Sequence, residues 1–191
     1  MQKYSIIALY GKSGCGKDTI QQWVGLNYPN QFHEIVSCTT RPPRDYEEDG
    51  VDYNFLTVEE FTRQVLNGNM LEATEFRNWF YGTQQTALVR DKINIGVFNI
   101  AGIEALLGNP EIELIPVLVY TPDKQRLIRQ LEREEYPDCA EICRRYQTDD
   151  ADFSNTDFQP FFIWENYDQP NRESVFNSFQ DSLARLLEKL D

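Results

Sequence analysis

Residues 11–19 read GKSGCGKDT. The stretch before them, YSIIALY (4–10), is apolar and strand-like, and the stretch after, DTIQQWVGL (18–26), has helical spacing. Strand, glycine turn and helix in that order are what a phosphate-binding loop requires: main-chain N–H groups converge on phosphate oxygens and the helix offers its positive end. Gly11, Gly16 and Lys17 satisfy the pattern of Gly, four residues, Gly, Lys, with Ser13, Gly14 and Cys15 inside the loop. Lys17 is placed to reach the β- and γ-phosphates of ATP. The pattern then asks for a Ser or Thr whose hydroxyl ligates magnesium, and Asp18 stands there instead, followed by Thr19.

A magnesium site of this kind has a second support, an acid at the end of a neighbouring strand. The candidate strand, in INIGVFNIAG, carries no acid and ends in Asn99. The two departures are consistent with one change, in which the carboxylate has moved from the strand to Asp18 and holds a hydrated ion. The other reading is that Asp18 caps the helix and Thr19 approaches the phosphates.

Outward from the loop, further strands are expected at 34–38, 93–98, 114–120 and 161–164, with helices between or after them. This alternation predicts an α/β fold, a parallel sheet flanked by helices on both faces. The segment 39–83 is rich in Arg, Glu and aromatic residues and reads as an inserted lobe. Its helix, VEEFTRQVLNG, has Thr57 as N-cap, Glu60 three residues on, and Gly68 at its end. A charged helical excursion, 124–152, is broken by Pro137 and reads as a lid, and ESVFNSFQDSLARLLEKL packs as a final helix.

With 191 residues and 41% apolar content the chain is long enough for one globular domain with its own core. A formal charge of −13 with no concentrated basic patch argues against binding a nucleic acid polymer. Arginines instead gather in small groups, Arg41 with Arg44 and Arg126 through Arg145, which suits local anion handling. The longest apolar run, 112–120, is strand-sized and contains Glu113, and the start lacks a leader pattern, so a cytoplasmic protein without a membrane anchor is expected. Cys15, Cys38, Cys139 and Cys143 lack disulfide-framework spacing, and with His33 as the single histidine a zinc site is poorly supplied. They read as small half-buried fillers.

The stretch SCTTRPPRDYEEDGVDYNFLTVEEF (37–61), with LEATEF (71–76) and YGT (81–83), closely resembles guanylate kinase. Family members carry T-T-R-x-P-R, a D-Y-x-F, a helix, an acid in a short strand and Y-G-[ST], and all appear here in order. The resemblance is strong from the phosphate loop through Thr83 and loose beyond. It implies a three-layer P-loop kinase fold with core segments 1–36, 84–123 and 153–191, a nucleoside monophosphate-binding lobe over 37–83 and a helical lid over about 124–152. It implies phosphoryl transfer from ATP, with Mg2+, to GMP or dGMP. On this resemblance Arg41 and Arg44 grip the acceptor phosphate, Tyr53 and Tyr81 donate hydroxyl hydrogen bonds to it, and Glu72 accepts from guanine N1 and N2 beside Ser37 and Thr83. Packing alone is the other reading for Tyr81. Glu75 is read as a solvated or ion-paired neighbour. Lys17, Arg41, Arg133 and Arg145 are the implied catalytic residues. Arg145 in ICRRYQ matches a lid position, but the family's G-R-G is replaced by REE at 133–135. Arg133 is the stand-in, Arg129 and Arg126 stay open, and solvated charges paired with Glu132 and Glu134 are the plainer alternative. Asn166 in WENYD falls where family members touch adenine. Two further readings are a broader deoxynucleoside monophosphate kinase and a non-catalytic guanylate-kinase-like binding module.

Overall fold

The computed structural model describes residues 3–44, 47–76, 78–133, 135–154, 156 and 158–190. The chain clusters into two compact units, the first Met1–Ala8 with Gln21–Ile115, the second Leu9–Ile20 with Pro116–Asp191. Strand β1 (Tyr4–Tyr10) and helix α1 (Lys17–Asn27) run from one unit into the other.

The first unit continues with β2 (Phe32–Glu34), β3 (Cys38–Thr39), β4 (Asn54–Phe55), α2 (Val58–Leu66), β5 (Met70–Phe76), β6 (Trp79–Gln84), β7 (Ile93–Val97), α3 (Ile100–Leu106) and the start of β8 (Ile112–Tyr120). The second holds the end of β8, then α4 (Asp123–Glu132), α5 (Cys139–Ser154), β9 (Phe162–Glu165) and α6 (Arg172–Leu190). Five strands form one sheet in the order β2-β7-β1-β8-β9, with β2 parallel to β7 and β8 parallel to β9. Strand β1 has β7 and β8 as its sheet neighbours although neither directly follows it in the chain, so the connections cross over rather than turn back as hairpins. Ile6, Ile7 and Leu9 of β1 are fully buried, which explains why that strand reads as a continuous apolar run.

The inserted segment forms its own sheet in the order β4-β3-β6-β5. Helix α2 sits against it through Phe61, which stacks on Phe80 at 5.6 Å. The expected capping box is present: Glu60 N donates to Thr57 Oγ1 at 3.2 Å and Thr57 N donates to Glu60 Oε2 at 2.9 Å. The helix closes where Gly68, at φ +69°, donates to Val65 O and Asn69 donates to Gln64 O, an arrangement only a left-handed residue permits.

Two expectations need correction. The strand expected at 34–38 is two strands in two sheets, because the chain leaves β7 after Glu34 and meets β6 from Cys38. An apolar run cannot show where its pairing partner changes. The cysteines also differ from half-buried fillers: all four are free, with Cys15 and Cys38 buried and Cys139 and Cys143 exposed on α5. Among the described residues no helix is long and apolar enough to cross a membrane.

Candidate active site

The loop at Gly11–Lys17 lies wholly in the second unit, and its glycines are dictated by what surrounds them. A Cβ on Gly14, which has φ +81°, would lie 2.7 Å from Arg126 O, and one on Gly16, at φ +88°, would lie 2.5 Å from Asn166 Nδ2. No other residue fits either place. Cys15 is fully buried, and its carbonyl accepts from Asn166 Nδ2 at 2.7 Å and Thr121 Oγ1 at 3.2 Å. The loop is therefore held from behind through its carbonyls. Lys17 Nζ donates to Gly11 O at 2.8 Å and Lys12 O at 3.4 Å, so the ammonium folds back over the loop it belongs to. Asp18 and Thr19 are exposed in the first turn of α1. Asp18 is inside the helix rather than at its N-cap, so the capping alternative reduces to a favourable charge near the positive helix end. Asn99, where the strand acid was sought, is the N-cap of α3: its Oδ1 accepts from Gly102 N at 2.7 Å and its Nδ2 donates to Thr74 Oγ1 at 2.9 Å.

The arginines of α4 and α5 have separate duties. Arg126 is 1% exposed and is committed to Asp123, Asp149 and Ser13 O, which removes it from the residues open to a bound phosphate. Arg129 pairs with Asp168 and donates to Asn166 O at 3.1 Å. Arg133 is the exposed C-cap of α4. Arg144 and Arg145 both bind Glu141, and these hydrogen bonds, Arg144's foremost, hold its carboxyl down at about 2. Glu134, one of the suggested partners of the lid arginines, lies outside the described residues. Asn166 spends its side-chain amide on the loop carbonyl of Cys15, an anchoring role that spacing did not reveal.

In the first unit the lobe brings its expected residues together. Glu72 and Thr83 are directly opposite in the β5–β6 ladder, with Thr83 Oγ1 donating to Glu72 Oε1 at 2.9 Å and Ser37 Oγ 3.4 Å from Thr83 Oγ1. Glu72 is 8% exposed, and burial pushes its carboxyl up to about 7 against the opposing pull of Thr83. Glu75 alternates to the exposed face, as its phase predicts. Gly82, between Tyr81 and Thr83, is required because a Cβ there would lie 2.6 Å from Glu72 O. Arg41 lies over the Tyr53 ring at 5.6 Å, and the Tyr53 and Tyr81 rings meet edge-on at 6.2 Å.

Sequence reasoning missed Glu47. Its carboxylate accepts from Arg41 Nη1 and Nη2 at 2.9 and 2.8 Å, from Arg44 Nη1 at 3.0 Å and from Arg44 N at 2.8 Å. Burial works to raise this carboxyl, and the hydrogen bonds from Arg41 and Arg44 outweigh it, so it stays below the usual range. The two guanidinium groups are thus fixed as a pair by one anion. The only sequence signal was an acid three residues after Arg44 in a turn.

A glycine phosphate loop occurs in many nucleotide-binding proteins. An inserted lobe with its own arginine pair and a buried acid narrows the class to P-loop nucleoside monophosphate kinases. Comparison with known proteins narrows it further. The guanylate kinase family model matches residues 3–168. A guanylate kinase of Latilactobacillus sakei is 34% identical over 146 residues, 74% of this chain and 71% of that protein. One from Frankia casuarinae is 36% identical over 135 residues, covering 69% and 72%. Among solved structures, guanylate kinase from Anaplasma phagocytophilum superposes with a TM-score of 0.63 at 18% identity, over 100% of this chain and 89% of that one, a likeness of fold. The chain belongs to the guanylate kinase family.

Proposed function

We propose that this protein transfers the γ-phosphoryl group of ATP to GMP or dGMP in the cytoplasm. The observation that carries the choice of acceptor is Glu72, a buried carboxyl on β5 that accepts from the Thr83 hydroxyl, with the Ser37 hydroxyl next to Thr83. Burying a carboxylate costs several kcal/mol unless donors meet it. Guanine offers N1–H and the N2 amino group on one edge, and adenine has no such pair. Arg41 and Arg44, with Tyr53 and Tyr81, receive the acceptor phosphate, and Gly11, Ser13, Gly14, Cys15, Gly16, Lys17 and Thr19 with Asn166 form and support the ATP end. No general base is needed, because the acceptor phosphate is already anionic near neutral pH. Arg133 and Arg145 are assigned to the charge that spreads over the transferring group, and residues 124–152 to a lid that keeps water from intercepting it. Chromatography of a reaction with ATP and GMP is the test: ADP and GDP form in equal amounts, whereas ADP with phosphate and no GDP refutes the transfer.

Magnesium that travels with ATP keeps most of its waters and needs one or two carboxylates besides the phosphates. Asp18, exposed in the first turn of α1 beside Lys17, would supply that single carboxylate to a hydrated ion. The ion neutralises phosphate charge when bound. Asp18→Ser restores the common hydroxyl and is expected to raise the Mg2+ concentration for half-maximal activity about tenfold or more. An unchanged or lower requirement contradicts the assignment.

The raised carboxyl of Glu72 predicts a pH dependence. Low pH protonates it, which replaces an acceptor by an O–H donor facing guanine's own donors. KM for GMP should rise about tenfold per pH unit below about 7 and level off above it. The acceptor phosphate titrates near pH 6 and adds its own slope. Glu72→Gln retains that slope and loses the one near 7, so identical profiles for both proteins would sink the prediction.

A further inference from the structure

The second unit contains a buried ion pair that the phosphoryl-transfer reading does not use. Arg126 of α4, 1% exposed, faces Asp149 of α5, whose side chain is 9% exposed, at 3.3 Å. Both residues converge on Ser13, near the start of the phosphate loop. Asp149 Oδ2 accepts from Ser13 N at 2.6 Å and Asp149 Oδ1 accepts from Ser13 Oγ at 3.1 Å. Arg126 Nη1 donates to Ser13 O at 2.8 Å, and Gln130 Nε2 is 3.4 Å from the same oxygen. Thus the donor of the Ser13 residue is taken by one helix and its acceptor by the other.

The pair is itself braced. Arg126 Nη2 donates to Asp123 Oδ1 at 2.7 Å, Tyr146 OH donates to Asp123 Oδ2 at 2.7 Å, and Lys12 pairs with Asp150 next to Asp149. The loop then turns at Gly14 directly against Arg126 O, where a Cβ would lie 2.7 Å away. A buried salt bridge is weak support for stability, since apolar replacements of similar volume are often neutral or stabilising. Its use here is geometric: hydrogen bonds to both sides of one residue fix its peptide planes, and the amides that follow inherit their direction.

We propose that Arg126 and Asp149 are positioning residues for the ATP phosphates, holding Ser13 so that the amides after it point at the triphosphate. The inference rests on the assignment of this loop to ATP. Calorimetric titration of the whole protein with ATP, and separately with GMP, tests it. Asp149→Ala is expected to weaken ATP binding about tenfold, the equivalent of losing roughly one charge-assisted hydrogen bond, and to leave GMP affinity within about twofold. The decisive variant is the apolar pair Arg126→Met with Asp149→Leu. A merely structural pair would be replaced without cost to ligand binding. The expected result is wild-type thermal stability with the same loss of ATP affinity and a raised KM for ATP alone. ATP affinity equal to wild type in the apolar pair overturns the inference. Should that variant fail to fold, Asp149→Asn, which keeps the side-chain shape and one oxygen, carries the test, with ATP affinity at least about threefold weaker. Unchanged affinity in that variant also overturns the inference. Lys17→Met separates the two levels: if it leaves ATP binding intact as well, the loop assignment itself is wrong.

Discussion

Glu72→Gln is expected to lower kcat/KM for GMP by about 10²–10⁴-fold, because two hydrogen bonds to a buried charged acceptor contribute roughly 1.5–3 kcal/mol each. The glutamine variant keeps one oxygen and turns an NH2 group toward guanine's donors. KM for ATP should stay near wild type. Thermal unfolding should be unchanged or shifted upward, since the variant removes an ionisable group that burial already disfavours. AMP should remain a poor acceptor, because the substitution does not build a site for adenine. Steady-state kinetics with GMP and AMP measure all of this. A variant that phosphorylates GMP within about threefold of wild type would place the base somewhere other than at Glu72.

Arg41→Met should raise KM for GMP about 30-fold or more, since truncating one partner of a buried charged pair costs about 2–5 kcal/mol. The geometry behind this is the Arg41–Glu47–Arg44 cluster, in which both nitrogens at the end of Arg41 hold the Glu47 carboxylate. Removing Arg41 leaves Glu47 with Arg44 alone, so the acceptor phosphate loses a donor and meets a less neutralised acid. Both effects act on GMP and neither acts on ATP. Unfolding by urea, followed alongside, separates loss of the lobe from loss of the grip. If KM for GMP holds while KM for ATP rises, the assignment of this cluster to the acceptor is wrong.

Much of this was open to reading in the sequence where local rules decide. Thr57 and Glu60 announce the start of α2 because a capping box needs only residues three apart. The phosphate loop is legible because its glycines sit between a buried strand and a helix. The strand at 93–98 and its end at Asn99 are legible in INIGVFNIAG, but the cap was hidden: nothing there shows that the Asn99 side chain accepts from Gly102 N and starts α3. The duties of charged residues were hidden more deeply. Arg126 and Asp149 are 23 residues apart in a stretch that looks like solvated helix, and nothing in spacing says that both turn inward to the same serine. Glu47 looked like one of several acids in a turn. Helical or strand period shows which face a residue shares with its neighbours, and it does not show what that face meets.

The central claim is that a buried glutamate selects guanine for phosphorylation by ATP. Its most direct measurement is the rate of ADP formation from ATP with GMP, dGMP and AMP supplied in turn, repeated with Glu72→Gln. The account predicts rapid turnover with GMP or dGMP, little with AMP, and loss of the guanine preference in the variant. Equal rates with AMP and GMP in the unmodified protein, or no ADP above the ATP-only background with either guanine nucleotide, would contradict it.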